Sequence, residues 1–171
     1  WSKLAIPNTN VFKSIDKLVS EIARFDNENI YFVLNEISDA CYSRDQMEVM
    51  IEKPKITTSD NDITKRNWLL IDIDTKRSAG VSSTNEEKQH SKTTANKVFS
   101  YLRDLGFSNP IVCDSGNGVH LLYKIEMPND EQSKMILHAC LQVLDLFFTN
   151  EGAEIDKSVF NAARITKMYG T

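Results

Sequence analysis

The chain contains the stretch Trp68-Leu69-Leu70-Ile71-Asp72-Ile73-Asp74, an apolar run that ends in two carboxylates one residue apart. Successive side chains of a strand point to opposite faces, so Asp72 and Asp74 share one face and the alternate apolar residues share the other. Two like charges side by side on a sheet are unfavourable unless a cation lies between them. Carboxylate oxygens suit hard cations such as Mg²⁺ and Mn²⁺. Taken alone, an Asp-x-Asp pair is usually only a strand that ends in a solvated acidic turn.

Length and composition indicate an ordinary soluble globular protein. The 171 residues suffice for one domain with a substantial core, and 41% hydrophobic and 26% charged residues fit this class. The net charge of −4 provides no overall basic field, so any contact with nucleic acid must come from local clusters. The three cysteines are far apart and form no Cys-x-x-Cys pair, which predicts a reducing, cytoplasmic location without disulfides or zinc. No membrane-spanning run and no signal peptide is visible.

The chain begins at Trp1 rather than Met and stops after an apolar and basic segment, which indicates a piece of a longer protein. We expect a single domain over residues 1–171, with an N-terminal α/β unit over residues 1–66 and a second unit over residues 67–171. In the first unit the sequence predicts a helix over Ser14–Phe25, a strand over Ile30–Asn35 and a polar loop over Lys53–Arg66. The segment between the strand and the loop is ambiguous, and a short helix over Gln46–Ile51 is one interpretation of it.

The second unit has a more regular pattern. The predicted elements are, in order, a strand Trp68–Asp74, a helix Asn85–Leu105, a strand Pro110–Cys113, a strand Val119–Ile125, a helix Asp130–Phe148 and a short strand Glu154–Asp156. Thr84 and Glu87 form a capping box at the start of the first of these helices. This β-α-β-β-α-β order predicts a mixed α/β fold with a split β-α-β, RNA-recognition-like sheet, of which one face is covered by helices and the other is open. Its first and third strands lie at the centre, and the fourth flanks the first.

This topology brings separate polar residues to one place. Asp72 and Asp74 lie on the first strand, His120 lies on the third, and Asp156 lies at the end of the fourth. Strand alternation puts His120 on the open face beside the Asp pair, and Asp156 should approach the pair from the other side. Clustered carboxylates of this kind can hold two ions about 4 Å apart, which clamp the attacking and leaving oxygens of an in-line displacement. The pattern therefore favours phosphoryl or nucleotidyl transfer.

Residues suited to phosphate surround these carboxylates. The glycines of Ser115-Gly116-Asn117-Gly118 let backbone N–H groups approach an anion, and the Ser115 hydroxyl adds a donor. His120 can donate to a phosphate oxygen, and Arg164 and Lys167 follow Asp156 closely enough to add positive charge. Each of these features alone also fits a plain structural role. A Ser-Gly-Asn-Gly turn is more often a hairpin turn than a phosphate cradle.

Three segments of the chain carry a resemblance to a known family. They are Leu70-Ile71-Asp72-Ile73-Asp74, Ser115-Gly116-Asn117-Gly118-Val119-His120 and Ile155-Asp156-Lys157-Ser158-Val159-Phe160-Asn161-Ala162-Ala163-Arg164-Ile165. In order and spacing they resemble the three motifs of the archaeo-eukaryotic primase superfamily, and more narrowly the primase-polymerase domains of phages, plasmids and CRISPR-associated proteins. The closing Lys167-Met168-Tyr169-Gly170-Thr171 agrees as well. The resemblance spans roughly Ile30 to the C-terminus.

The resemblance implies a fold, a reaction and a set of roles. The fold would be a primase-polymerase catalytic core, and the reaction would be DNA-templated nucleotidyl transfer that extends primers. The catalytic and metal-binding residues would be Asp72, Asp74 and Asp156, which would hold two ions of Mg²⁺ or Mn²⁺. The nucleotide-binding residues would be Ser115, His120 and Arg164, to which the phosphate chemistry described above adds Gly116 and Lys167.

The resemblance also implies partners. These are a single-stranded DNA template with its primer and nucleoside triphosphates, with no membrane. A replicative helicase or an accessory domain of the longer protein is a further candidate. Some relatives carry a cysteine-rich zinc element, which this sequence lacks. Relatives also continue into a domain often needed to start primers, so extension is better indicated here than primer initiation.

Two other classes of function remain open at this stage. A metal-dependent nuclease or phosphodiesterase would also use clustered Asp and His, but it has less use for the Ser-Gly-Asn-Gly turn and Arg164. A catalytically silent RNA-recognition-like module would usually present aromatic residues for base stacking on the open face. The predicted third strand presents His120, Leu122 and Lys124 there instead.

Overall fold

The structure, a computed structural model, describes residues 10–25, 29–44, 47–52, 54–78 and 80–170. Within these ranges the chain forms three α-helices and seven strands. The helices are α1 Ile15–Ile22, α2 Asn85–Asp104 and α3 Glu131–Phe148. The strands are β1 Tyr31–Val33, β2 Glu36–Ile37, β3 Ile63–Thr75, β4 Ile111–Asp114, β5 Gly118–Pro128, β6 Ala153–Ile155 and β7 Ile165–Lys167. The predicted mixed α/β class is confirmed.

The long strand β3 organises a five-stranded antiparallel sheet. One edge of β3 pairs with β5, and its other edge pairs with β2 near its start and with β6 near its end. Strand β4 pairs with the outer edge of β5. The first and third strands of the predicted unit, β3 and β5, are therefore central, and the fourth, β6, flanks β3 as expected.

The start of β3 differs from the sequence-based expectation. The strand begins at Ile63 rather than Trp68, so the loop predicted over residues 53–66 ends earlier than expected. Ile63 pairs with Ile37 of β2, and Ile63 and Arg66 are buried. This stretch is mostly polar and has no strand pattern of its own, so its strand conformation depends on pairing with the distant strand β2. The boundary expected between residues 66 and 67 falls inside β3.

The hydrophobic core lies between the sheet and the helices α2 and α3. It contains the odd-numbered residues of both central strands, namely Leu69, Ile71, Ile73, Val119, Leu121 and Tyr123, together with Val98, Leu102, Leu141 and Leu144 of the helices. The predicted capping box of α2 is confirmed. Glu87 N donates to Thr84 Oγ1 over 3.2 Å, and Thr84 N donates to Glu87 Oε2 over 2.8 Å.

The opposite face of the sheet is not open as predicted. Leu70, Leu122 and His120 on this face are only 4%, 5% and 6% exposed. A two-stranded antiparallel ribbon of β1 and β7 brings residues from both ends of the chain to this face. The Asn35 side chain, which follows β1, donates to the Ala162 carbonyl over 2.8 Å and so ties the two ends of the chain together.

The N-terminal elements are shorter than predicted. Helix α1 covers Ile15–Ile22, with the Ser14 hydroxyl accepting from Lys17 N as its N-cap. Residues 47–50 form turns rather than the short helix considered for Gln46–Ile51, and Gln46 itself lies outside the described residues. Among the helices that the structure describes, none is both long enough and apolar enough to cross a membrane.

Candidate active site

The Asp pair lies near the C-terminal end of β3, on the same face of the sheet as His120. In the register of β3 with β5, Asp72 is directly opposite His120 and Asp74 is directly opposite Gly118. The Nε2 atom of His120 lies 3.3 Å from Asp72 Oδ1. The imidazole therefore lies beside the Asp pair, as strand adjacency predicts.

The charge of this pair is poorly compensated by the protein. Asp72 Oδ1 is buried and, among the described residues, has no hydrogen-bond partner, because its close approach to His120 lacks hydrogen-bond geometry. Burial raises the pKa of Asp74, and the neighbouring charge of Asp72 raises it further. A buried carboxylate oxygen without a donor is costly, and a bound cation would remove that cost. The pair thus has the properties of a cation site.

Asp156 joins the site from the other edge of β3. It follows β6 directly, and its backbone N–H donates to the Asp72 carbonyl over 2.9 Å. Its Oδ1 accepts from Ser158 N over 2.7 Å, and its Oδ2 lies 3.3 Å from Arg164 Nη2. The charge of Asp156 also raises the pKa of Asp74. Three carboxylates therefore act on one another across adjacent strands.

The three carboxylates are chemically suited to a hard divalent cation, although their side chains do not yet converge on one point. In the described ranges, no three His, Cys, Asp or Glu side chains are grouped so that they could hold an ion as they stand. The Asp156 carboxylate is engaged by Arg164 instead. Asp72 and Asp74 would hold an ion of the Mg²⁺ or Mn²⁺ class, and Asp156 would join them by leaving Arg164.

The turn between β4 and β5 is held mainly by its own hydrogen bonds. Ser115 N donates to the Gly118 carbonyl over 3.1 Å, and Gly116 N donates to Asp114 Oδ1 over 2.7 Å. These two amides, which the sequence suggested as anion donors, already have acceptors. The Ser115 hydroxyl has no partner among the described residues, so it is one group of this turn that can donate to a ligand.

Gly118 allows β5 to approach β3 closely at the Asp pair. A Cβ atom at this position would lie 2.1 Å from the Ile73 carbonyl oxygen and 3.1 Å from the Asp74 Cα. The neighbouring Asn117 carbonyl accepts from Thr75 Oγ1 over 3.1 Å and from Ser83 Oγ over 3.2 Å. The turn is thereby fixed to the end of the strand that carries both carboxylates.

His120 is surrounded by residues that sequence reasoning did not place at the site. Its Nδ1 lies 2.8 Å from the Tyr169 hydroxyl and 3.3 Å from Thr166 Oγ1. The His120 and Tyr169 rings meet edge to face, with centroids 5.7 Å apart. Tyr169 lies in the closing segment that resembles the family motif, but only the β1–β7 ribbon, a long-range pairing, brings it to His120.

The two predicted cations after Asp156 have different positions. Arg164 lies just before β7 and contacts Asp156, so it belongs to the carboxylate cluster. Lys167 lies in β7 next to Thr166, whose side chain faces His120. Because successive strand side chains alternate, Lys167 points away from His120. The structure brings Arg164 to the carboxylates and leaves Lys167 on the other face of the ribbon.

An open cleft of about 420 Å³ adjoins Asp74. Its lining residues are Asp74, Thr75, Lys76, Arg77, Ser78 and Glu154. Arg77 is held by the Val81 carbonyl at 2.8 Å and the Thr75 carbonyl at 3.2 Å, and its charge lowers the pKa of Asp74. Lys76 and Arg77, which sequence reasoning did not single out, thus add positive charge to the cleft beside Asp74, where an anionic ligand could bind.

No protein-family model, no curated protein and no solved structure matches this chain. Its function must therefore be inferred from the site.

Proposed function

We propose that this chain is the catalytic domain of a metal-dependent, DNA-templated nucleotidyltransferase of the primase-polymerase type. The observation that carries the proposal is the Asp72–Asp74 pair, in which a buried carboxylate oxygen lacks a hydrogen-bond partner. His120 faces the pair from β5, and Asp156 adjoins it from the other edge of β3. Surplus buried negative charge next to phosphate-binding side chains is the arrangement that nucleotidyl transfer requires.

The three carboxylates have distinct roles in this proposal. Asp72 and Asp74 would bind both divalent ions, and Asp156 would complete the side of the site that faces the primer 3′-hydroxyl. When bound, such ions neutralise phosphate charge and activate the attacking hydroxyl. Asp156 is about one-third exposed, so its side chain can turn towards this position.

The remaining side chains would bind and orient the triphosphate. The Ser115 hydroxyl and His120 Nε2 can each donate to a phosphate oxygen. Arg164 offers a planar guanidinium for the same anion. Its contact with Asp156 is partly exposed and therefore weak, so exchanging the carboxylate for a phosphate costs little. Positioning and charge neutralisation would supply most of the rate enhancement.

The order of the elements also supports the proposal. The sheet has the strand neighbours expected of an RNA-recognition-like unit, and the three motif segments meet at one end of it. In the proposed primase-polymerase core this unit carries the chemistry, and the segment before it contributes strands β1 and β2. The partners would be primer, single-stranded template and nucleoside triphosphates, and initiation of primers is a further candidate activity.

A metal-dependent phosphodiesterase or nuclease is the second candidate. One observation favours it, namely that the amides of Ser115 and Gly116 are already satisfied and offer no backbone cradle to a triphosphate. A catalytically silent binding module is disfavoured, because the sheet face that would stack bases is buried at Leu70 and Leu122.

Primer extension tests the proposal. A labelled primer annealed to a longer DNA template is incubated with Mg²⁺ or Mn²⁺ and with ribo- or deoxynucleoside triphosphates. We expect the wild type to extend the primer and the Asp72→Asn, Asp74→Asn variant to lose extension while it keeps its fold. The matched control is Asp104→Asn, an exposed carboxylate at the end of α2, which should extend like the wild type.

Two results would contradict the proposal. If the double variant extended the primer as well as the wild type does, the metal site would be wrong. Release of mononucleotides from the DNA without extension would favour the phosphodiesterase.

A further inference from the structure

A line of polar contacts runs from Tyr169 through His120 to Asp72. The Tyr169 hydroxyl lies 2.8 Å from His120 Nδ1, and the opposite ring nitrogen, Nε2, lies 3.3 Å from Asp72 Oδ1. His120 is 6% exposed, so bulk water has little access to either nitrogen. The surrounding protein groups, rather than water, therefore determine which ring nitrogen carries the proton and which accepts a hydrogen bond.

Tyr169 is suited to act as a hydrogen-bond donor in this line. Burial raises the pKa of Tyr169 to about 12, so the phenol keeps its proton at neutral pH. A neutral imidazole has one N–H donor and one bare nitrogen acceptor. If the phenol donates to Nδ1, the imidazole proton lies on Nε2, which is the nitrogen nearest the Asp72 carboxylate. The Tyr169 contact thus favours the Nε2–H tautomer, and the negative charge of Asp72 near Nε2 is compatible with a proton there, although these two atoms do not meet with hydrogen-bond geometry.

We propose that Tyr169 is a positioning residue that donates to Nδ1 and holds His120 as the Nε2–H tautomer, with this N–H directed to the space beside Asp72. The identity of the ligand that receives this N–H, a nucleotide phosphate, rests on the proposed function. The tautomer itself is a property of the free protein. Thr166 supports the arrangement, because its hydroxyl lies 3.4 Å from the Tyr169 oxygen and 3.3 Å from Nδ1.

The arrangement gives a reason for a half-buried tyrosine in this place. A phosphate oxygen can only accept a hydrogen bond, so His120 helps to bind it only while Nε2 carries the proton. The edge-to-face contact of the two rings, with an interplanar angle of 76°, also restricts rotation of the imidazole. The hydroxyl of Tyr169 would therefore act on the nucleotide through His120 without touching it.

Nitrogen-15 NMR of the histidine rings tests this inference on the metal-free protein, recorded at increasing alkaline pH until the ring signals stop changing. The chain has three histidines, so the ring signals are few. In the wild type we expect His120 to carry its proton on Nε2 and to accept a hydrogen bond at Nδ1. In Tyr169→Phe, the Nδ1 signal should move towards that of a bare nitrogen. His90 and His138 should not change and serve as internal references.

A matched variant is available in the core. The Tyr123 hydroxyl is buried and, among the described residues, lacks a hydrogen-bond partner. Tyr123→Phe therefore removes a phenol hydroxyl, as Tyr169→Phe does, but it should leave the His120 signals unchanged. Thr166→Val on the Tyr169→Phe background removes the second hydroxyl near Nδ1 and should enlarge the change.

The functional measurement compares the effect of Tyr169→Phe on the KM for nucleotides with its effect on the Kd for DNA. With ATP and dATP as probes in the presence of Mn²⁺, Tyr169→Phe should raise KM roughly three- to tenfold, as expected for loss of one hydrogen bond that acts through a neighbour. The Kd for primer–template DNA and the melting temperature should change little.

The outcomes separate this inference from the proposed function. A proton on Nδ1 in the wild type, or an unchanged Nδ1 signal in Tyr169→Phe, would overturn the inference whatever the activity. A changed signal with unaltered KM would overturn the positioning role. A wild type that binds no nucleotide but shows the expected tautomer would refute the proposed function and leave the Tyr169–His120 hydrogen bond standing.

Discussion

Replacing Gly118 with alanine should disrupt both the sheet and the proposed active site. The new Cβ would lie 2.1 Å from the Ile73 carbonyl oxygen, a separation that non-bonded carbon and oxygen atoms do not adopt. Both partners are backbone, so no side chain can move aside. Strands β3 and β5 would have to separate by about 1 Å, because a close-packed interior leaves no slack at this point.

The cost can be estimated from two contributions. Forcing extra volume into a packed site costs about 1–3 kcal/mol. Weakening one ladder hydrogen bond between β3 and β5 would add about 1 kcal/mol. We therefore expect Gly118→Ala to lower the free energy of unfolding by about 2–4 kcal/mol. A displacement of Asp74 of about 1 Å should lower nucleotide incorporation on the order of a hundredfold.

Urea unfolding followed by tryptophan fluorescence, together with primer extension, measures both effects. The control is Gly106→Ala at the end of α2, where φ is +91° and no atom lies within 4 Å of the new Cβ. This variant should lose about 1–2 kcal/mol from backbone strain alone and keep its activity. If Gly118→Ala matched the wild type in stability and incorporation, the close approach of the strands would have no bearing on the site.

Three further outcomes follow from the carboxylates and the imidazole. At neutral pH the metal-free Asp72→Asn, Asp74→Asn variant should melt at a higher temperature than the wild type. The raised pKa of Asp74 makes its ionised form destabilising, and the gain should vanish in acid, where the wild-type carboxyl is protonated. His120→Ala should weaken nucleoside triphosphate binding by about 1.5–3 kcal/mol in calorimetry, with little change in DNA affinity by fluorescence anisotropy. Asp156→Ala should abolish incorporation and keep part of the triphosphate binding, whereas Glu154→Ala should be nearly silent; the reverse pattern would make Glu154 the third ligand.

The part of the fold that follows local periodicity could be predicted from the sequence. The alternation of apolar residues around Asp72 and around His120 defined β3 and β5, and it also defined which faces their side chains share. That these strands are neighbours follows from the topology, because both are central, and the observed register puts Asp72 opposite His120. Helices α2 and α3 were predicted to within a residue at either end, since capping residues mark their starts.

The elements that depend on distant pairing could not be predicted. Strand β7 has only three residues and becomes regular by pairing with β1, where Thr166 is opposite Phe32. The first residues of β3 are polar and form a strand by pairing with Glu36 and Ile37 of β2. In such short segments the pairing partner decides the conformation, and no local pattern names that partner.

The residues of the site also divide into those that local periodicity predicts and those that depend on distant pairing. The Asp pair and His120 could be predicted because they lie on regular strands. The hydrogen bond from Gly116 N to Asp114 did leave a sequence signal, since Asp two residues before a turn amide commonly accepts from it. That signal favours a self-contained turn over an anion cradle at this backbone. The Tyr169 contact left no comparable signal, because Tyr169 follows the three-residue strand β7 and no periodic pattern places it against β5.

The segment over residues 164–169 connects the two halves of the proposed site. Arg164 at its start contacts Asp156, and Thr166 and Tyr169 contact His120, which itself faces Asp72. The charge state of the carboxylates and the orientation of the imidazole therefore depend on the position of one short stretch of chain. This stretch is fixed by its pairing with β1, so the N-terminal part of the chain affects the chemistry through backbone hydrogen bonds. A change that loosened the β1–β7 ribbon should thus weaken nucleotide binding at Arg164 and at His120 together, although β1 carries none of the proposed catalytic residues.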